Sequence, residues 1–481
     1  MDPASVGGEQ EATAEWRARA VGGMEYGWCR AVPGGTGTTL LAFRLARGAA
    51  AATAATVQAA LQALLDAHPV LRARLRGSAS GSPTLAFPSS SPPPPPLALE
   101  LFSVPESAPD FPSLLEHELN RNPWAAASAA ASEPEPDAPP VLFATLYELP
   151  PPAGAGSALF VRIHTAACDR AASASLVREL VALLAGNGAA SAGDPEDAAV
   201  HAALEERIPQ RDSWKPFWAR GLDMVGYSIN GLRTSTLPFE VTGTERSTQM
   251  LRLGFDREET TSLLDACELN GVKLCAAMAA ATLLAARLSK QQLESNQQET
   301  YTIATLINCR KFLEPALDDH NVGFFHSAIT NTHKIHGGEG LWELARRCQD
   351  SYTNAKNNKK HLTDISDLNF LMCRAIENPQ LTTASALRTA VISVFEEPVV
   401  DDLSDLQSKA GVEEFVCCAT VHGVGPSIGL FDSIRDGKLD FACMYPCPLH
   451  SRKQMQEILN KVKQMLHEGS IGDAEKFEDC T

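Results

Sequence analysis

Residues 57–75 read VQAALQALLDAHPVLRARL. Val57, Ala60, Leu61, Leu64 and Leu65 recur at the i, i+3, i+4 spacing that places them on one helical face. That helix must stop near His68-Pro69, because the residue before a proline is pushed out of helical geometry. Upstream, TTLLAFRL (38–45) reads as a strand. Downstream, residues 141–146 and 158–163 are further strand candidates. A second helix then carries Leu176, Val177, Leu180, Leu183 and Leu184 and ends at Gly186-Asn187-Gly188.

The second half repeats this grammar. A strand at 249–254 leads to Asp256 and Glu259, an Asp-x-x-Glu capping pattern. Asn270-Gly271 closes the helix that follows. Residues 274–288 are apolar almost all round, which predicts a buried helix. Strands are expected at 301–307, 391–394, 415–421 and 438–445, with a hairpin turn at Asp436-Gly437. A last amphipathic helix carries Met455, Ile458, Leu459, Val462 and Met465. Between the halves, residues 208–245 lack sustained periodicity and read as a crossover. The expected division is therefore 1–207, a linker at 208–245, and 246–481. Strands and helices mixed in two similar halves predict an α/β layered protein, with any ligand held between them.

Bulk properties agree with two domains. The chain has 481 residues, 44% of them hydrophobic and 21% charged, close to globular averages. Its formal net charge of −17 gives no global attraction for nucleic acid or anionic membranes. An anionic ligand would need a local basic patch. The first residues, MDPASVGGEQEATAEW, have neither the charged nor the apolar region of a secretory signal. No apolar run approaches the roughly 20 residues of a membrane span. Twelve cysteines in so long a chain, several in apolar surroundings, read as reduced core thiols. A soluble, cytoplasmic protein is expected. The Pro-rich stretches at 88–96, 105–112 and 133–140 read as punctuation, the first as an extended surface loop.

Four phrases carry a resemblance. They are residues 57–75, RIHTAACDRAAS (162–173), TLINCRKFLEPALDDHNVGFF (305–325) and VHGVGPSIGLFDSIRDGKLDFACMYP (421–446). In order and placement they resemble the CoA-dependent acyltransferase superfamily, which includes chloramphenicol acetyltransferase, condensation domains, alcohol acetyltransferases and plant acyltransferases. The resemblance implies two chloramphenicol-acetyltransferase-like α/β sandwich subdomains with a ligand tunnel between them. It implies acyl-CoA as co-substrate, a small-molecule hydroxyl or amine acceptor, a monomer, and no metal or redox cofactor. In the family's His-x-x-x-Asp-Gly motif the histidine takes the acceptor proton, a task suited to a pKa near the operating pH. The aspartate holds the loop, usually through an arginine.

This sequence departs from that motif. Counting back four from Asp169 gives Thr165; His164 stands one residue earlier, and Arg170 replaces the glycine. A threonine hydroxyl is too weak a base at neutral pH. Three readings follow: the loop shifts so that His164 reaches the tunnel, another group serves, or the chain is a non-catalytic binding or scaffold protein with a possible protein partner. His164 itself reads most simply as a buried histidine bonded to backbone. Asp169 is expected to pair with a buried arginine such as Arg310, and Arg170 to be either solvated or a partial obstruction of the channel. Beside His164, Thr165 and Asp169 as catalytic candidates, the resemblance assigns ligand contacts to Asn308, Arg310, His422, Gly423, Gly425 and Ser427.

Other patterns are weaker. Gly425-Pro426-Ser427-Ile428-Gly429 has the Gly-x-Ser-x-Gly form of a nucleophile elbow, but that needs a helix next, and strand, turn and strand are expected here. Residues 33–38, PGGTGT, lack the Gly-Lys-Ser/Thr ending of a phosphate loop. Cys417, Cys418, Cys443 and Cys447 lack Cys-x-x-Cys pairing. His333 and His336 read as part of a polar loop.

Overall fold

A computed structural model describes residues 16–48, 53–77, 83–88, 97–104, 110–125, 138–149, 156–187, 202–243, 245–290, 297–378 and 390–478. Most of the three Pro-rich stretches lies outside these residues. The exception is instructive: Phe111–Leu119 is a helix whose first turn contains Pro112 and whose N-terminus is capped by Asp110. Proline is tolerated there because that amide has no intrahelical partner.

In the first half the main elements are β1 (Thr36–Ala46), α1 (Ala54–Ala67), β2 (Leu99–Ser103), β3 (Leu142–Leu149), β4 (Gly156–His164), α2 (Arg170–Leu184) and α3 (Phe217–Arg233). The second half has β5 (Ser247–Gly254), α4 (Arg257–Leu269), α5 (Leu274–Leu288), β6 (Glu299–Asn308), β7 (His326–Ile335), α6 (Leu341–Asn357), β8 (Ile392–Phe395), β9 (Val412–Val421), β10 (Ile428–Arg435), β11 (Lys438–Cys447) and α7 (Arg452–Glu478).

Two sheets form the layers. One runs β9-β1-β4-β3-β2; the other runs β7-β6-β8-β10-β11-β5, with Val399–Asp401 added beside β10. The protein is thus a mixed α/β fold of two sandwich layers. Strand β9 comes from the second half of the sequence yet pairs antiparallel with β1, Phe415 opposite Phe43. The chain therefore crosses from one sheet to the other and back.

The cores follow the predicted faces. Val57, Ala60, Leu61, Leu64 and Leu65 of α1 are all buried, packed with Leu176, Leu180 and Leu184 of α2. Leu274 to Arg287 of α5 are buried without a break. Asp256 and Glu259 form the expected capping box at α4. Asp436 and Gly437 have φ of 50° and 73°, the left-handed pair that a two-residue hairpin turn requires.

Two expectations need correction. The crossover contains a 17-residue helix, α3. Trp218, Leu222, Val225 and Ile229 do recur at helical spacing, but Gly221 and Gly226 weaken the local preference for helix. The helix is mounted with its polar side inward. Lys215, just before it, lies 2.7 Å from both Asp223 and Asp364 and 2.9 Å from Asp367, and the Tyr227 hydroxyl donates to Asp364. Its apolar stripe faces outward, with Trp218 and Leu222 61% and 67% exposed. The second correction concerns His333, which is a buried residue of strand β7 rather than part of a loop. Burial pushes its imidazole down to about 4.

The described cysteines are all free thiols. No single helix among the described residues is long and apolar enough to cross a membrane.

Candidate functional site

The Thr165–Ala167 turn, after β4, and the N-terminus of α2 form one wall of a cavity of about 730 Å³. Its other walls come from both sheets: Thr39 of β1, Ala419 of β9, Ala304 of β6, Ala328 of β7 and Phe431 of β10 all line it. The inner side of α3 contributes Asp223, Gly226 and Tyr227. Apolar walls with a few convergent polar groups are the usual character of a small-molecule site.

Asp169 organises this wall. One carboxylate oxygen, Oδ1, accepts the Ala172 amide at 2.9 Å and so caps α2. The other, Oδ2, accepts from Arg310 Nη1 at 2.8 Å and from the Phe325 amide at 2.7 Å. The expected ion pair with Arg310 is therefore present, with both side chains 1% exposed. Burial alone would raise the Asp169 carboxyl, but the Arg310 guanidinium and the His326 ring outweigh it and hold it well below the usual carboxylate range. Asn308 supports the pair, its Oδ1 accepting from the Arg310 amide and Nη1, both at 3.2 Å. Arg310 also donates to the Asn321 carbonyl at 2.9 Å.

His164 does not reach the cavity. It sits at the end of β4, 1% exposed, with its ring edge-on to Trp124 at 5.3 Å. Its Nδ1 accepts the Ala166 amide at 3.2 Å, the backbone-bonded arrangement anticipated for a buried histidine. Burial pushes the imidazole down to about 3, so it stays neutral and walled in. Thr165 does line the cavity. Its hydroxyl donates to the Gly37 carbonyl and lies 3.0 Å from the Thr39 hydroxyl, which ties the turn to β1 and leaves no basic group.

Arg170 is not solvated. Its guanidinium lies 2.7 Å from Asp432 Oδ1 and 3.9 Å from the Phe395 ring centroid. It spans from α2 to the opposite sheet and forms part of the cavity wall. Burial pushes the Asp432 carboxyl up despite this neighbour.

The remaining candidates divide. Gly425 lines the cavity; His422, Gly423, Ser427, Asn308 and Arg310 are not among its lining residues. His422 is bonded through Nδ1 to the Thr248 hydroxyl at 2.8 Å, and burial pushes it down to about 4. Gly423 is a close-approach position: a β-carbon there would stand 2.3 Å from the Gly34 carbonyl oxygen. Ser427 is buried and leads into strand β10, so the helix of a nucleophile elbow is not formed.

One residue escaped the sequence reading. His326, the first residue of β7, lies opposite Asn308 and lines the cavity. Its Nδ1 is 2.9 Å from Asp169 Oδ2. The only signal in the sequence is its position directly after the phrase ending in Gly323-Phe324-Phe325; nothing local marks it as a partner of an aspartate far upstream.

Comparison with known proteins places this architecture. Residues 244–355 match the model of the phthiocerol/phthiodiolone dimycocerosyl transferase C-terminus. No curated protein matches the chain. Among solved structures it is similar to the trichothecene 15-O-acetyltransferase of Fusarium sporotrichioides, at 13% identity and a TM-score of 0.66 over 94% of this chain and 95% of that one. Polyketide synthase associated protein 5 of Mycobacterium tuberculosis aligns at 16% identity and a TM-score of 0.60, over 94% and 98% of the two chains. The epimerization domain of the third module of tyrocidine synthetase B aligns at 13% identity and a TM-score of 0.60, over 97% and 99%. The chain therefore has the fold shared by CoA-dependent acyltransferases and peptide-synthetase condensation domains.

Proposed function

We propose that the protein transfers an acyl group from a thioester, with CoA as the carrier, to a hydroxyl or amine acceptor bound in the same cavity. The observation that carries this reading is the 730 Å³ cavity between the two sheets, walled by the Asp169 turn that the resemblance assigns to the reaction. A space of that size takes a drug-sized ligand. Its apolar walls suit an acyl chain. Lys356, Lys359 and Lys360 concentrate positive charge beside the lining residues Asn354 and Asn358 and would face a CoA phosphate, although each already has an acidic neighbour.

One observation favours a second reading. The position of the family's base is Thr165 and the adjacent His164 is sealed off, so a protein that binds such ligands without reacting them is the alternative. Release of free thiol by purified protein from a panel of acyl-CoAs, with pooled hydroxyl and amine acceptors, separates the two. Acceptor-dependent release supports transfer. Saturable acyl-CoA binding without release supports the binding protein.

A further inference from the structure

The general base that the motif lacks has a physical candidate elsewhere on the same wall. Resting on the acyl-transfer reading, we propose that His326, oriented by Asp169, is the base that takes the acceptor proton.

Three observations carry it. His326 lines the cavity, whereas His164 does not. Its Nδ1 is 2.9 Å from Asp169 Oδ2, and Asp169 is itself fixed by Arg310, the Phe325 amide and the Ala172 amide. A carboxylate at Nδ1 selects the tautomer with the proton on that nitrogen and leaves the Nε2 lone pair free. Nε2 has no hydrogen-bond partner among the described residues. The Nδ1–Oδ2 contact is close but falls short of good hydrogen-bond alignment. Catalytic contacts in ligand-free proteins are often misaligned in this way and tighten when substrate binds.

The placement is also mechanically sound. His326 begins β7 and is paired with Asn308, while Phe395, edge-on to its ring at 6.2 Å, limits where the ring can turn. Phe395 in turn lies beneath the Arg170 guanidinium. The aspartate that holds the loop thus also orients a new histidine from the opposite sheet.

The step balances without a further reagent. Nε2 takes the proton of the acceptor O–H or N–H, and the acceptor oxygen or nitrogen bonds to the thioester carbonyl carbon. The C–S bond then breaks, and the proton on Nε2 passes to the departing thiolate. An ester or amide and a free thiol result, and His326 returns neutral.

The test is thiol release from acetyl-CoA and longer acyl-CoAs by wild type, His326→Gln and His326→Ala, with water, hydroxylamine and the acceptor panel as nucleophiles. Acyl-CoA binding by each protein is measured alongside, to show that the cavity is intact. The expected result is a fall in kcat of about 10²–10⁴-fold in both variants, with KM changed by less than the rate and partial rescue of His326→Ala by added imidazole. Wild-type rates in both variants overturn the assignment while leaving acyl transfer standing. Wild type that binds acyl-CoA yet releases no thiol to any nucleophile overturns the transfer reading, and this assignment with it.

Discussion

At the scale of single residues, Asp169 is the most constrained side chain in the site. It caps a helix, pairs with a fully buried arginine, accepts the Phe325 amide and touches His326. Removing one partner of such a pair leaves an uncompensated buried charge, which costs about 3–5 kcal/mol. Asp169→Ala is therefore expected to destabilise the fold by that order, measured as a shift in the urea midpoint, and Arg310→Ala to do the same. The double variant should cost less than the sum of the two, because neither charge is then left alone. Additive losses would show that the two side chains act independently. His164 was legible as a buried histidine because it ends a strand beside an unusually apolar turn. His326 was not legible, because its significance depends on Asp169, which approaches it only through the folded arrangement of the two sheets.

The element that the sequence concealed is α3. Surface helices ordinarily bury their apolar stripe; this one turns it to the outside and lays Asp223 and Tyr227 against the protein. Its attachment is therefore electrostatic. Burial would lower the Lys215 ammonium, but hydrogen bonds to Asp223, Asp364 and Asp367 outweigh that and raise it. Lys215→Ala strips the nearly buried Asp367 of its cation and leaves the buried Asp364 with Lys360, at 3.3 Å. The expected outcome is faster proteolysis within residues 217–233 in Lys215→Ala than in wild type, whereas Leu222→Ser, at an exposed position, leaves the cleavage rate unchanged. Equal cleavage in wild type and Lys215→Ala would show that Lys215 does not hold the helix. By contrast, α1 and α5 were legible almost to the residue. Their burial agrees with their local hydrophobic pattern, one apolar face in α1 and apolar all round in α5, so pattern and tertiary structure demand the same thing.

On the scale of the whole molecule, the two sheets close round one cavity, and strand β9 binds them together by leaving the second half of the chain to complete the first sheet. Residues 415–421 could be read as a strand, since alternation is local. Which strand they would pair with could not, because register and partner are settled by the packing of distant segments. The same division runs through the site: the Asp169 turn and the Gly425 loop were visible as motifs, but their distance from one another and from His326 belongs to the fold. Ala328 of β7 faces the cavity across from the Asp169 turn's sheet, so a bulky side chain there fills the space in which donor and acceptor must meet. The most direct measurement is acceptor-dependent thiol release from acyl-CoA by wild type and Ala328→Trp, with thermal melting to confirm that the variant is folded. Saturable release by wild type that the folded variant loses is the predicted result; undiminished release by the filled variant would contradict the placement of acyl transfer in this cavity.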